Sequence, residues 1–308
     1  MKFTLNLPAS YIDPPGEFQT IAAVTEMAQA IEAAGADALW VTDHPAPDAA
    51  WLRDPRGHDA VDPFVTLSIA AAVTKTVRLH TNVLILPYRN PFLTAKAVAT
   101  LEVMSGGRMI LGVGGGYQEG EFSALGVEFK KRGALFDEAL ETMNLAWSGQ
   151  DVVKQGLFFD AKGNLPRPAP PRPPAIWIGG AADKALERVV KWGAGWSPYF
   201  GPSPEAAGEF RKATSALSSV ADLKARAGQL KEMLDAAGRK DPVDICVNMI
   251  DAPGAMDRAA ADQCLDSLGA LAEAGATWVF GGGPHASRAG YIDYIRWFGE
   301  EVIARVKR

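Results

Sequence analysis

Apolar, strand-like stretches alternate with stretches of helical periodicity eight times along this chain, and that alternation restricts the folds open to it. Lys2 to Leu7 reads as a strand ending at Pro8, and residues 17–34 carry apolar positions at helical spacing up to Gly35. Ala38–Val41 is a short apolar strand, followed by a helix from Pro63 to Thr74. Val77 to Leu86 is a strand and Pro91 to Met104 a helix that opens on proline, where a missing N–H costs nothing. The pattern continues with a strand at Arg108–Val113 and a helix at 134–147. After a Pro-rich stretch (165–174) come strands at Ala175–Ile178, 195–200, Val243–Met249 and Thr277–Phe280. Their helices are read at 182–192, 204–237, 256–274 and from about Ser287 to Val306. Eight βα units in 308 residues predict a closed (β/α)8 TIM barrel, one α/β domain over residues 1–308. A doubly wound open sheet is the alternative. The Pro-rich stretch reads as a surface insertion, because a cut there would leave two half barrels.

Composition narrows the partners. With 48% hydrophobic and 22% charged residues the chain has ample material for a core. The net charge is −5. The only basic run, Lys130-Lys131-Arg132, reads as solvated surface, so no nucleic-acid partner is expected. Cys246 and Cys264 form no CxxC pair and no disulfide framework. The start, MKFTLNLPAS, lacks the apolar core of a signal peptide, and no run of about 18 apolar residues occurs. These features predict a cytoplasmic protein with a small-molecule substrate, no membrane contact and no metal.

In such a barrel the site lies at the C-terminal ends of the strands. Those ends carry Asp43-His44-Pro45, Asn82-Val83 with Ile85, Gly114-Gly115-Gly116-Tyr117, Gly179-Gly180-Ala181 and Gly281-Gly282-Gly283. Glycine lets a ligand approach the backbone closely, and the helix after Gly180 offers its N-terminal N–H groups to an anion. Each feature also has a plainer reading. His44 can be a loop histidine bonded to nearby backbone, and the triple glycine an ordinary turn. His58 reads as a loop residue, His80 as structural within its strand, and His285 as a weak candidate. Glu119 and Glu121 are expected to be solvated. Residues 281–286 match G-x-G-x-x-A, but no strand remains to complete a dinucleotide-binding half. Nucleophile-elbow, Walker and H-E-x-x-H patterns are absent.

Several segments, taken in order, resemble one family. They are Trp40-Val41-Thr42-Asp43-His44-Pro45; Asn82 to Pro87 with Asn90-Pro91; Ser105-Gly106-Gly107-Arg108 running into Leu111-Gly112-Val113-Gly114; Glu121-Phe122; and Ile178-Gly179-Gly180. The chain resembles the luciferase-like monooxygenases, in their branch of oxidoreductases dependent on the deazaflavin coenzyme F420. The resemblance covers roughly residues 1 to 200 with specific motifs. It implies a usually dimeric barrel with the cofactor at the C-terminal mouth, held by Asp43, His44, Asn82, Val83, Ile85, Gly114 to Tyr117 and Gly179 to Ala181. It implies that His44, beside Asp43, acts as acid or base, and that the Asn82–Val83 peptide is cis and backs one face of the ring. The Gly179–Ala181 amides would hold the cofactor tail and phosphate, and Trp51 could wall the substrate pocket. Tyr117 stands where some deazaflavin dehydrogenases carry Glu, a departure from the sugar-phosphate enzymes. The implied activity is hydride transfer between F420 and a small organic substrate. The alternatives are an FMN-dependent two-component monooxygenase of the same fold and a non-catalytic flavin-binding protein.

Overall fold

The computed structural model describes residues 1–12, 16–54, 57–200 and 217–307. The barrel strands are β1 (Lys2–Asn6), β2 (Ala38–Val41), β3 (Arg78–Ile85), β4 (Met109–Gly114), β7 (Ala175–Gly179), β8 (Gly195–Ser197), β9 (Asp244–Asn248) and β10 (Trp278–Gly281). They close in the order β1-β10-β9-β8-β7-β4-β3-β2, and every neighbouring pair is parallel. The expected TIM barrel is therefore the fold, and the open doubly wound sheet is not.

The helices are α1 (Ile21–Ala33), α2 (Ala49–Leu52), α3 (Pro63–Val73), α4 (Pro91–Met104), α5 (Glu119–Ala124), α6 (Arg132–Trp147), α7 (Asp183–Trp192), α8 (Val220–Ala236), α9 (Arg258–Glu273) and α10 (Arg288–Phe298). Their starts are written locally. Asp62 and Asn90 each accept two backbone N–H groups at the heads of α3 and α4, with proline next in line. Thr20, Ser219, Asp257 and Ser287 cap α1, α8, α9 and α10 in the same manner. After α10 the chain widens into a π turn at Gly299–Ile303, where a Cβ on Gly299 would lie 2.8 Å from Ala34 O.

Three elements depart from the sequence reading. Residues 148–164 form an antiparallel hairpin, β5 (Val152–Gln155) with β6 (Asp160–Asn164), outside the barrel and just ahead of the Pro-rich stretch. The short helices α2 and α5 sit in the loops after β2 and β4. Of the helical stretch expected over 204–237, in one or two pieces, the described part is a helix over Val220–Ala236 preceded by non-helical residues 217–219, and residues 204–216 lie outside the described residues.

The core has two layers. One fills the space between strands and helices, with Phe3, Leu39, Leu111, Ile178 and Val279 against Met27, Leu67, Val98 and Leu186. The other fills the barrel interior with Ala38, Ile110, Trp177, Cys246 and Trp278. His80 belongs here: it is fully buried, its ring meets that of Trp177 edge-on at 5.0 Å, and burial, with help from Arg78, pushes its pKa down to about 3. Gly112 makes room for it, since a Cβ there would lie 2.9 Å from His80 Nε2. No helix among the described residues is long and apolar enough to cross a membrane.

Candidate active site

The turn after β2 places two adjacent polar side chains at the barrel mouth, and both are buried. Asp43 turns toward β3. Its carboxylate accepts Ile85 N–H at 3.0 Å and Arg89 Nη2 at 2.8 Å, tying the ends of β2 and β3 together. Burial raises the Asp43 pKa, and the Arg89 charge and the Ile85 N–H oppose that rise. Both Asp43 oxygens are thus engaged at the end of β3.

His44 turns toward α5. Its Nδ1 lies 3.2 Å from Glu121 Oε2, and the other carboxylate oxygen accepts Ala46 N–H at 3.2 Å. The Tyr88 hydroxyl donates to Glu121 Oε2 at 2.9 Å. Burial alone would raise the Glu121 pKa, but the bonds from His44, Tyr88 and Ala46 outweigh it and hold the carboxyl below its usual range. The same carboxylate and burial push the Tyr88 phenol well above its usual value, so it stays a donor. The Glu121 carboxylate accepts a hydrogen bond from Nδ1–H, which orients the imidazole ring. The Gln118 amide is 3.0 Å from Nδ1. It serves the same N–H only with its oxygen turned toward it, an orientation that also relieves Oε1, otherwise buried without a partner.

This corrects the expectation for Glu121, which is 0% exposed, whereas Glu119 two residues earlier is exposed as expected. A lone carboxylate is almost never fully buried, so the solvated reading is the default. The signal that could have overturned it is the spacing Gln118-x-x-Glu121, which sets both side chains on one face of a helical turn. Tyr88 and Arg89, in the turn after β3, carried no such signal.

The other segments converge on the same rim. The Asn82–Val83 peptide is cis, and the β3–β4 register shifts between Thr81 and Leu84. The Val83 methyls face two of the glycine positions. A Cβ on Gly114 would lie 2.8 Å from one, and a Cβ on Gly179 3.5 Å from the other. Gly116 has φ +74, and a Cβ there would lie 2.8 Å from both Ile85 and Phe122. The result is a rim of bare backbone around Val83, a cradle that a Cβ at these glycines would fill. Rings surround His44 from the other side: Trp51 at 4.5 Å, His58 at 5.0 Å and Tyr117 at 6.2 Å between centroids.

The Gly179–Ala181 turn is more committed than its sequence suggests. Gly180 N–H donates to Ser197 O at 3.3 Å, so the donors left for an anion are those of residues 181–183 at the head of α7. Asp183 occupies that first turn, but Arg226 of α8 lies against it, donating to Asp183 Oδ1 at 2.8 Å and to Ala181 O. The guanidinium adds a positive charge that was not legible in the sequence. His285 is remote in role: its ring stacks on Tyr11 at 3.7 Å.

The comparisons with known proteins agree with this architecture. The profile described as luciferase-like monooxygenase matches residues 1–272. An uncharacterized protein of Mycobacterium tuberculosis is 30% identical over 236 residues, 73% of this chain and 76% of that protein. A phthiodiolone/phenolphthiodiolone dimycocerosates ketoreductase of Mycobacterium sp. (strain JLS) is 32% identical over 203 residues, 60% of this chain and 53% of its own. The F420-dependent glucose-6-phosphate dehydrogenase of Amycolatopsis mediterranei is 36% identical over 164 residues, 51% of this chain and 47% of its own. Among solved structures, a monooxygenase from Streptomyces bottropensis superposes with a TM-score of 0.75 at 19% identity, covering 99% of this chain and 100% of that one. The coenzyme F420-dependent tetrahydromethanopterin reductase of Methanopyrus kandleri gives 0.73 at 17% identity, covering 99% of both; at such identities the likeness is one of fold. The match over residues 1–272 places the chain plainly: it belongs to the luciferase-like monooxygenase family.

Proposed function

We propose that this chain is an F420-dependent oxidoreductase that moves a hydride between the deazaflavin and an oxygen-bearing carbon of a small organic substrate. One observation carries the reading: a histidine at the barrel mouth whose Nδ1 is held by a fully buried carboxylate. Relatives whose names include a ketoreductase and an F420-dependent sugar-phosphate dehydrogenase support it.

When bound, the deazaflavin supplies a ring carbon that accepts or donates hydride and reacts poorly with oxygen. The chain does the rest. The Val83 bulge, with Ile85, Asn82, Gly114, Gly115, Gly116 and Tyr117 around it, offers the face for the ring. Beyond Gly179 and Gly180, whose bare backbone leaves room, the N–H groups from Ala181 into the head of α7, with Arg226, would hold the phosphate-bearing tail. His44 Nε2 takes the substrate hydroxyl proton as the hydride leaves, or returns it in reduction, and Glu121 stabilises the imidazolium formed on the way. Asp43 acts by fixing the end of β3. Trp51 and Tyr117 screen His44 from water. The substrate is a small molecule, and the working unit is a homodimer of single-domain protomers, as is usual in the family; light scattering of the purified protein checks the latter.

Fluorescence titration with F420 and FMN side by side tests the cofactor. Tight binding of F420 and weak binding of FMN are expected; the reverse would sink the proposal. The second reading, an FMN-dependent monooxygenase working with a separate reductase, draws on the family description and on the fold shared with the Streptomyces monooxygenase. It predicts oxygen consumption when reduced FMN is supplied, which the F420 reading does not.

A further inference from the structure

Between β2 and α3, the described residues on either side of positions 55 and 56 lie close to one another near the site. Asp54 N–H donates to Trp51 O at 2.9 Å and Gly57 N–H to Asp54 O at 2.8 Å. A Cβ on Gly57 would lie 2.0 Å from Trp51 O, so only glycine lets the chain at position 57 approach the Trp51 backbone this closely. The next residue, His58, is thereby set against the site. Its ring lies 5.0 Å from that of Trp51 and 5.0 Å from that of His44, and Trp51 and His44 are 4.5 Å apart, so the three rings form a closed triangle. The loop is docked as well. Gly120 of α5 leaves space that the Asp48 carboxylate fills, for a Cβ there would lie 2.0 Å from Asp48 Oδ2. The element carrying His58 and the element carrying Glu121 are therefore packed together.

Proton balance gives this arrangement a consequence. In the oxidising direction a C–H bond of the substrate breaks and its electron pair leaves with the hydrogen to the deazaflavin. The substrate is oxidised and the deazaflavin reduced. The O–H bond breaks too, and its proton goes to His44 Nε2. That proton must leave before the next turnover, and in the reducing direction one must arrive. His44 is 8% exposed, and its Nδ1 side is closed by Glu121 and Gln118, both buried. The other titratable groups near it are poor exits. Asp43 is buried and engaged by Arg89 and Ile85, Glu121 is engaged three times over, and Tyr88 is locked as a donor. Tyr117 is a phenol, and phenols titrate near 10, far from neutrality. His58 is half-buried, with part of its surface in solvent, and imidazole as a class both takes and releases protons near neutral pH.

We propose that His58 relays the proton between His44 and solvent in each turnover, an inference that rests on the oxidoreductase reading above. The test uses the full-length protein and two variants, His58→Gln and His58→Ala. Turnover with F420 falls by about 10–100-fold in both, with F420 affinity unchanged within about twofold. Millimolar imidazole restores the His58→Ala rate toward wild type and leaves the wild type unchanged. A second readout needs no cofactor: NMR measures how fast the His44 ring proton exchanges with water, and this exchange slows in His58→Gln. Slowed exchange together with imidazole rescue supports the relay. Unchanged exchange, or a loss of turnover that imidazole does not repair, overturns it and leaves His58 a packing residue. If F420 does not bind the wild type, the oxidoreductase reading fails by itself, and the exchange measurement still decides whether His58 connects His44 to water.

Discussion

Glu121 Oε2 lies 3.2 Å from His44 Nδ1 with the carboxylate wholly removed from water, and this bond sets the orientation of the imidazole at the barrel mouth. Glu121→Gln keeps the volume but offers an amide in place of an anion. The ring is held less firmly and an imidazolium on His44 loses its counter-charge. Turnover is expected to fall by about 10²–10³-fold, with F420 binding within a few-fold of wild type. Stopped-flow measurement of the hydride step against a parallel fluorescence titration separates the two effects. An equal loss in both would assign Glu121 to cofactor binding instead.

Tyr88 donates to the same oxygen at 2.9 Å and tests the network from its far side. Tyr88→Phe removes one bond from a half-buried phenol to a charged acceptor, worth about 1–2 kcal/mol, but leaves His44 and Ala46 in place. The expected outcome is a lower melting temperature with less than about a tenfold change in rate. A rate loss as large as that of Glu121→Gln would show that the phenol touches the reacting atoms.

The architecture was legible because each barrel strand announces itself: Leu39 to Val41, Ile110 to Val113 and Ile176 to Ile178 are apolar runs bounded by glycine or polar turns. The hairpin of Val152–Gln155 with Asp160–Asn164 was not, since a strand reading DAKGN has neither alternation nor β-branched residues and forms by pairing with its neighbour. The site was readable in its glycines and in Asp43-His44, where a rare pair stands at a strand end. Glu121, Tyr88, Arg89 and Arg226 were not readable. Each matters through a partner 33 to 77 positions away, and a carboxylate on a short helix looks solvated until those partners are placed around it. His58 was passed over for a similar reason, because its nearness to His44 follows from the close approach of Gly57 to Trp51.

Arg89 and Asp43 make a prediction about pH. The Asp43 side chain is 2% exposed, and Arg89 supplies its only cation within 4 Å among the described residues. Arg89→Met leaves that carboxylate buried without its counter-charge, at a cost of about 2–4 kcal/mol at neutral pH. Asp43 already titrates above its ordinary value, and losing Arg89 raises it further. A carboxyl raised in this way favours the folded state at low pH, and that contribution is lost as pH rises through the folded value. The gap between variant and wild type is therefore largest at pH 8 and narrows toward pH 5 in urea denaturation. A gap independent of pH would mean that the lost stability comes from packing of the Arg89 stem.

Gly114 faces Val83, and a Cβ there would lie 2.8 Å from its Cγ2. Gly114→Ala must push the Val83 methyl toward the face proposed for the ring, at an overpacking cost of about 1–3 kcal/mol. F420 affinity is expected to drop about tenfold or more. Shortening the opposing side chain in Gly114→Ala/Val83→Ala should recover part of it. If the single variant binds F420 as the wild type does, Val83 is not the platform and the ring lies elsewhere.

Far from the site, Glu32 makes a prediction about acid stability. Its Oε1 accepts the backbone N–H groups of Lys75, Thr76 and Val77 at 2.6 to 3.0 Å, and the Thr76 hydroxyl at 3.0 Å, pinning α1 to the turn that leads into β3. Burial pushes its pKa upward, but the four bonds prevail and bring it down to about 2 from an ordinary 4.5. A carboxyl depressed in the folded state contributes stability above its unfolded value and loses it as pH falls through the folded one. The window is therefore about pH 4.5 to 2. Because the group is partly exposed, the contribution is discounted to about 1–2 kcal/mol. Glu32→Gln should lower stability by that amount at pH 7 and flatten the acid limb between pH 4.5 and 3 in thermal melts. A variant whose acid limb parallels the wild type would show that other carboxylates govern it, and that the bonds to residues 75–77 contribute equally in either charge state.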